Sequence, residues 1–249
     1  MSEMGNLYGN QFFTARSGGA RQSALGVLPI VVGLINPKSV VDVGCGTGEW
    51  LHAVTTIIHC EVVGLDGAYV PTELLAIPRE SFVPTDLGRP LVVGRRFDLA
   101  ISLEVAEHLP PSRAHSFVRD LTELAPAVLF SAAVPGQGGM GHVNEQWQSY
   151  WIDLFAKNGF ETWDVIRPSV WNRDDVALWY RQNMFLFVDP EVHGHRPELV
   201  PTILDLVHPG YFRLAQDRGS TARLWEILER LPRAARRLLA RHPFRSSGG

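Results

Sequence analysis

The sequence predicts an α/β fold built on a doubly wound, mostly parallel sheet, and three observations support this prediction. Short apolar runs that suit buried strands alternate with helical segments of ten or more residues. A glycine-rich turn follows the first of these runs directly. The 249 residues are 45% hydrophobic and 20% charged, which excludes a disordered or collagen-like chain. Sheets of this kind bind their ligands at the carboxyl ends of the strands.

The apolar runs and the segments between them predict the order of the elements. The predicted strands cover residues 40–43, 61–65, 82–86, 97–103, 127–132, 161–166 and 183–188. The predicted helices cover residues 49–58, 111–124 and 147–157, and Gly159 is expected to end the last of them.

Composition divides the chain into three predicted segments. Residues 1–23 are polar, glycine-rich and aromatic, and are interpreted as an N-terminal arm. Residues 24–190 are expected to form the ligand-binding sheet domain. Residues 191–249 are expected to form a proline- and histidine-rich loop and an arginine-rich helical extension.

The net charge of −3 hides an uneven distribution. Residues 213–245 carry nine arginines against three acidic residues, a charge of +6, so the rest of the chain carries −9. Leucines at helical spacing within residues 221–241 predict an amphipathic helix that packs either on the domain or on a second subunit, as in a homodimer. Nucleic-acid binding is disfavoured, because the larger part of the chain is acidic and contains no legible RNA-binding module.

The location of the protein is predicted from its cysteines and its apolar runs. Two cysteines, Cys45 and Cys60, cannot form a disulfide framework. The longest apolar stretch, residues 24–35, is too short to cross a bilayer and does not follow a basic N-terminal region. We therefore expect a cytoplasmic protein without a membrane span.

The glycine turn is the most informative motif. Asp42 lies inside the predicted strand, and Gly44, Gly46 and Gly48 follow it in GxGxG spacing, whereas dinucleotide-binding proteins use GxGxxG. Asp66 ends the second predicted strand, where a carboxylate can accept hydrogen bonds from two ribose hydroxyls. A third acid, Asp86, closes the third predicted strand and suits an adenine amino group.

Taken together, these residues resemble the class I S-adenosylmethionine (SAM) methyltransferases, and the resemblance covers roughly residues 5–190. It implies a seven-stranded, Rossmann-like sheet and SAM as cofactor. Gly44 and Gly46 would face the methionine portion of SAM, while Asp42 would support the turn. Asp66 would hold the ribose, and Asp86 would lie beside the adenine. The other residues expected at the cofactor are Leu87, Ser102 and, on an N-terminal arm that either covers SAM or is frayed, Tyr8, Gln11 and Arg16.

Three further stretches resemble a bacterial subgroup of sugar O-methyltransferases, of which the methylmannose polysaccharide type is the nearest match. These stretches are residues 8–19, 102–110 and 136–147. The resemblance implies methyl transfer to a hydroxyl of a sugar or oligosaccharide. Two alternatives stay open: an O-methyltransferase of another small molecule, such as a polyketide or quinone, and a SAM-binding regulatory protein without catalytic activity.

Methyl transfer to a sugar hydroxyl needs a group that takes the hydroxyl proton. His142 is the candidate general base, because it follows a glycine-rich loop after a predicted strand and imidazole accepts protons near neutral pH. The alternatives for His142 are a positioning or metal-binding role and a structural cap on the next helix. Glu104, at the end of the fourth predicted strand, is a second catalytic candidate. Expected contacts to the acceptor are Gln137, Asn144, Gln146, Tyr180 and Arg181.

A divalent metal is a second way to activate the hydroxyl, since it would lower the hydroxyl pKa. Glu104, Glu107 and His108 are the candidate ligands, and carboxylate oxygens favour magnesium. In the alternative interpretation no metal binds. Glu107 and His108 then orient loops, and Glu104 contacts the cofactor or the substrate.

Overall fold

The computed structural model describes residues 10–211, with side chains from residue 18 onward, and contains seven strands and seven α-helices in that range. The strands are β1 (Ser39–Val43), β2 (Glu61–Asp66), β3 (Phe82–Pro84), β4 (Leu99–Leu103), β5 (Ala127–Ser131), β6 (Glu161–Trp163) and β7 (Phe185–Val188). The helices are α1 (Asn10–Ile35), α2 (Glu49–Ile57), α3 (Ala114–Leu124), α4 (Gln148–Lys157), α5 (Ile166–Val170), α6 (Leu178–Asn183) and α7 (Pro190–His193). Short 3-10 turns cover Thr72–Leu74, Arg79–Ser81, Ala106–His108, Pro111–Arg113 and Pro197–Leu199.

The strands form one sheet in the order β3-β2-β1-β4-β5-β7-β6. All neighbouring pairs from β3 to β5 are parallel, and β7 runs antiparallel to both β5 and β6. The chain moves outward from β1 to β3, then returns to place β4 on the other side of β1. The carboxyl ends of β1 and β4 therefore flank the point where the topology reverses, which is where such sheets bind ligands. The predicted seven-stranded, mostly parallel, doubly wound sheet is confirmed.

Two apolar layers cover the two faces of the sheet. Alternate residues of each strand point to opposite faces, so Val40 belongs to one cluster and its neighbour Val41 to the other. The first cluster joins the sheet to α1, α2 and α5, and the second joins it to α3 and α4. Phe155 and Phe187 stack in the second cluster with ring centroids 3.7 Å apart. This packing fixes the positions of the strand ends and the loops that follow them.

Helix α1 (Asn10–Ile35) was not predicted by the sequence analysis. It runs through the predicted boundary at residue 23 and contains Pro29. Its Gly18–Ile35 stretch is long and apolar enough to cross a membrane by length and composition alone, a property that core helices share. Within that stretch Ala24, Val27 and Val31 are fully buried in the first cluster, as expected for a helix packed on a sheet.

The predicted sixth strand was too long, because β6 ends at Trp163 and Ile166 begins α5. Residues 10–206 belong to one compact unit. The sequence analysis grouped residues 191–206 with the C-terminal extension, but they form hydrogen bonds within this unit. The Asp164 amide, for example, donates to the Leu199 carbonyl at 2.8 Å. Residues 207–211 belong to a second unit, in which the Tyr211 amide donates to the His208 carbonyl. The predicted amphipathic helix and its homodimer contact lie outside the described residues.

Candidate active site

The glycine turn after β1 is held against the end of β2. The Gly44 amide donates to the Leu65 carbonyl at 2.7 Å, and Gly44, Gly46 and Gly48 all have positive φ, at 88°, 52° and 83°. A Cβ atom at Gly44 would lie 2.3 Å from Cγ2 of Val105. Both the backbone conformation and the close approach of Val105 therefore require glycine at position 44.

Asp66 connects the turn with the end of β2. Its Oδ2 accepts a hydrogen bond of 2.7 Å from the Gly46 amide. Its Oδ1 accepts hydrogen bonds from the Gly67 amide at 2.6 Å and from the Tyr69 hydroxyl at 2.8 Å. Burial raises the pKa of the Asp66 carboxyl above the ordinary value of an aspartate, and these three donors oppose part of that rise. The donors thus stabilise the ionised form of a buried carboxyl group at the carboxyl edge of the sheet.

Asp42 lies beneath the turn, inside β1. Its side chain is buried, and burial together with the nearby charge of Asp66 raises its pKa well above the ordinary value of an aspartate. A protonated Asp42 can lie beside an ionised Asp66 without two like charges facing each other in a buried site.

The residue after β4, Glu104, has an unusual backbone conformation. Its φ is 56°, a value that side chains other than asparagine and aspartate seldom adopt. Its carboxylate accepts a hydrogen bond of 2.8 Å from the Gln137 amide nitrogen and a longer one of 3.4 Å from Asn183. The Asn183 amide also donates to Oε1 of Gln137 at 2.9 Å. Desolvation raises the pKa of Glu104, and the amide donors lower it.

Glu107 lies one short turn further along and is fully buried. Neither of its carboxyl oxygens has a hydrogen-bond partner among the described residues. Burial, followed by the neighbouring charge of Glu104, raises its pKa well above the ordinary value of a glutamate. A protonated Glu107 can donate to Glu104, which would spare the site a second buried negative charge.

His142 lies in the loop after β5 and is fixed by Glu145. Its Nδ1 and Oε1 of Glu145 are 2.8 Å apart. The Glu145 carboxylate also accepts hydrogen bonds of 2.8 Å from the amides of Gly136 and Gly138, so it ties the ends of the loop together. Partial burial raises the pKa of Glu145, but the hydrogen bonds from His142, Gly136 and Gly138 and the charge of His142 together bring it below the ordinary value of a glutamate.

The same loop contacts the end of β4. The amides of Val143 and Asn144 both donate to the Glu107 carbonyl, at 2.9 and 3.0 Å. The rings of His108 and His142 meet edge to face with centroids 4.8 Å apart. Ligand atoms of Glu107, His108 and His142 all lie within 4.8 Å of one another. A possible proton acceptor thus lies beside two carboxyl groups at the edge of the sheet where ligands bind.

Comparison with known proteins identifies the family. A family model described as a methyltransferase domain matches residues 21–182, which is more than half of the chain. The chain belongs to this methyltransferase family. It is therefore a SAM-dependent methyltransferase. A separate comparison of its sequence with curated proteins gives no significant match.

Solved structures share the fold of this methyltransferase at low sequence identity. Streptomyces venezuelae DesVI is 16% identical with a TM-score of 0.52, over 76% of this chain and 99% of that protein. Human N-acetylserotonin methyltransferase, solved in complex with SAM, is 14% identical with a TM-score of 0.51. That match covers 72% of this chain and 55% of the human enzyme. At these identities the likeness shows the fold alone.

The residues expected at the cofactor differ from one another in burial and in hydrogen-bond partners. Asp66 and the glycine turn adjoin at the carboxyl edge, as described above. The Asp86 side chain is exposed and accepts a hydrogen bond from the Gly88 amide, whereas Leu87 is buried in the second apolar cluster. The Ser102 hydroxyl is buried and donates to the Val43 carbonyl. Tyr8 lies outside the described residues, and Gln11 and Arg16 lie where the structure describes only the backbone of α1.

The residues expected to contact the acceptor also form hydrogen bonds or ion pairs within the protein. Gln137 is buried and bonds to both Glu104 and Asn183. Asn144 is buried and accepts a hydrogen bond of 3.0 Å from Gln146. Two others lie on α6: Tyr180 accepts a hydrogen bond from Trp50, and Arg181 pairs with the exposed Asp174. Burial raises the pKa of Tyr180 to about 12, so its hydroxyl stays protonated.

Two residues of the site were missed by the sequence analysis. Glu145 follows His142 by three residues, and that spacing is a local signal that could have been used. Asn183 is 79 residues from Glu104 in the sequence, so only the fold brings the two together. The Glu145 carboxylate fixes the His142 ring, and the Asn183 amide bonds to the Glu104 carboxylate.

We expect Asp66→Ala to weaken SAM binding by about 1.5–3 kcal/mol, because charge-assisted hydrogen bonds to the ribose would be lost. Isothermal titration calorimetry with SAM measures this change. Tyr69→Phe is the matched control, since it removes one donor to Asp66 and keeps the carboxylate. An unchanged affinity in Asp66→Ala would contradict a cofactor-binding role for this residue.

Proposed function

We propose that this methyltransferase transfers the methyl group of SAM to a hydroxyl of a sugar or oligosaccharide, with His142 as general base. The observation that carries the proposal is the 2.8 Å contact between Nδ1 of His142 and the Glu145 carboxylate. A carboxylate that accepts the Nδ1 proton leaves Nε2 as the atom that takes a proton. A general base that is oriented by a third group in this way is typical of catalytic histidines.

The proposed reaction is an in-line displacement at the methyl carbon. The hydroxyl oxygen forms a bond to that carbon as the carbon–sulfur bond breaks, and both electrons of the broken bond stay on sulfur. The hydroxyl proton moves to Nε2 of His142. Alignment of oxygen, carbon and sulfur supplies much of the rate, because the two reactants are held in one geometry.

The proposed cofactor contacts follow from the arrangement of the acidic residues. Asp66 would accept hydrogen bonds from the ribose hydroxyls, since its carboxylate lies between the glycine turn and the end of β2. Asp86, in the exposed segment after β3, would accept a hydrogen bond from the adenine amino group. The carboxyl groups of Glu104 and Glu107 would then lie towards the positively charged sulfonium.

A sugar acceptor is supported by two partly exposed tryptophans, one in the segment after His142 and one on α6. Trp147 follows the segment that carries His142 and is 42% exposed. Trp179, on α6, is 41% exposed and contacts the ring of Tyr180 edge to face. Exposed indole faces suit the apolar faces of sugar rings. The alternative acceptors are hydroxyls of polyketides or quinones, which aromatic side chains can also bind.

Transfer of a labelled methyl group from SAM tests the acceptor class. We expect incorporation into at least one mono- or oligosaccharide and none into polyketide or quinone hydroxyls, at equal concentrations. Product counting after chromatographic separation from SAM provides the measurement. Transfer to a quinone or polyketide alone would replace the sugar proposal. SAM binding without transfer to any acceptor would favour the regulatory alternative.

We expect His142→Ala to lower kcat by about 10²–10⁴-fold at saturating SAM, because the hydroxyl proton would lose its acceptor. Glu145→Gln should lower kcat less, since it leaves the imidazole in place and weakens only its orientation. Added imidazole should restore part of the His142→Ala activity. His115→Ala is the control, because His115 is an exposed histidine on α3. A wild-type kcat in His142→Ala would remove the base proposal.

A bound cation is the second way in which these residues could activate the hydroxyl, and it would use the Glu107 carboxyl group. Its two oxygens are fully buried without a hydrogen-bond partner among the described residues, beside His108 and His142. The predicted set of Glu104, Glu107 and His108 fits less well, because Glu104 already accepts amide hydrogen bonds. A set with two imidazoles suits a transition-metal ion better than magnesium.

Removal of metal separates the two mechanisms. If His142 is the base, treatment with EDTA followed by desalting should leave kcat unchanged. Added Mg²⁺, Mn²⁺ or Zn²⁺ should then cause no activation. Activity should be assayed with the acceptor found by methyl transfer, and metal content should be measured before and after treatment. Loss of activity that one of these ions restores would assign the cluster to a cation.

A further inference from the structure

The segment after β3 has little packing of its own. Strand β3 contains three residues, and Val83 and Pro84 within it are exposed. The Asp86 side chain is 69% exposed, and Leu87 is buried in the second apolar cluster. The position of Asp86 must therefore be set mainly by the bonds that hold the residues around it.

A buried arginine supplies two of these bonds. Arg113 lies in the 3-10 turn before α3 and is 5% exposed. Its Nε donates to the Leu87 carbonyl at 3.2 Å, and its Nη2 donates to the Arg89 carbonyl at 2.8 Å. The guanidinium also donates to the Ser116 hydroxyl at 2.7 Å. One side chain thus holds the backbone on both sides of Gly88.

Asp120 completes the arrangement. It forms a buried ion pair with Arg113, and its Oδ2 accepts a hydrogen bond of 2.9 Å from the Leu91 amide. The other end of the segment is fixed by the Thr85 amide, which donates to the Asp66 carbonyl at 2.7 Å. Asp86 therefore lies between an anchor on β2 and an anchor formed by the Arg113–Asp120 pair.

The geometry of this pair suits a positioning role. A buried ion pair loses hydration, so replacing both partners with apolar residues is often neutral for folding. A guanidinium offers five donors in a rigid plane and can bond to two carbonyls and a carboxylate at once. The ammonium of a lysine is a point charge on a flexible chain and cannot reproduce that pattern.

We propose that Arg113, held by Asp120, is a positioning residue for the adenine side of the cofactor site. It fixes the Leu87 and Arg89 carbonyls and thereby keeps Asp86 directed at the amino group of the adenine. This inference rests on the proposed role of Asp86 in binding SAM. Arg113 itself does not contact the reacting atoms in this proposal.

The molecule contains a matched control for this arginine. Arg167 is 1% exposed and forms a buried ion pair with Asp164. It also donates to two backbone carbonyls, those of Ile203 and Leu204, at 2.8 and 2.9 Å. Each arginine lies over a phenylalanine ring. Arg113→Lys and Arg167→Lys therefore remove the same kinds of contact, but only the first removes them next to Asp86.

The test compares the binding of S-adenosylhomocysteine and S-inosylhomocysteine, in which an oxygen replaces the adenine amino group. Calorimetry is carried out on the full-length chain and on both lysine variants. We expect Arg113→Lys to raise the Kd for S-adenosylhomocysteine about tenfold. The ratio of the Kd for S-inosylhomocysteine to the Kd for S-adenosylhomocysteine should become smaller. Arg167→Lys should lower the melting temperature without changing either Kd. Asp120→Asn should act in the same direction as Arg113→Lys, and it replaces that variant if the lysine protein does not fold.

Asp86→Ala separates failure of this inference from failure of the assignment on which it rests. If Asp86→Ala loses the preference for the adenosyl compound and the Arg113 and Asp120 variants keep it, the positioning role is overturned while the role of Asp86 stands. If all three variants bind both compounds as the wild type does, Asp86 does not bind the adenine, and the positioning role falls with it.

Discussion

Four carboxyl groups crowd the carboxyl edge of the sheet, and the remaining parts of the site depend on how their charges are compensated. Asp42, Asp66 and Glu107 are buried, and Glu104 follows β4 directly. Each group must be ionised and paired with donors or remain protonated, because an isolated charge is costly to bury. Burial raises the pKa of all four, and it raises the pKa of Asp42 and Glu107 well above the ordinary value. Hydrogen bonds oppose this rise at Asp66, which has three donors, and at Glu104, which has two amides.

This pattern of compensation explains why the loops have their observed conformations. The positive φ of Gly46 lies in the turn whose amide donates to Asp66, and the positive φ of Glu104 lies where its carboxylate meets Gln137 and Asn183. Strained backbone at such positions persists only where the surroundings hold it. The same hydrogen bonds that compensate the buried carboxyl groups thus hold the loops at the carboxyl edge of the sheet.

The sequence contains the information for the fold and for part of the site. The period of the apolar runs predicts the strands, and the glycine spacing with Asp66 predicts the ligand-binding edge, because both signals are local. The internal hydrogen bonds of Gln137 and Asn144 were not predictable, since a polar residue in a loop has the same local signature whether or not it bonds to another part of the chain. Asn183 gives no signal at all, because its partners come from β4 and from the loop after β5.

The two proposed mechanisms compete for one atom of His142. Glu145 occupies Nδ1, so both a proton taken from the acceptor and a cation shared with Glu107 and His108 would have to bind Nε2. A carboxylate on the far nitrogen would orient the ring in either case, as it does for many metal-bound histidines. Glu107 distinguishes the two, because a metal ligand must be deprotonated and a metal binds in competition with protons. Burial and the charge of Glu104 both favour the protonated form of Glu107. The base mechanism leaves that proton in place, whereas the cation mechanism must remove it.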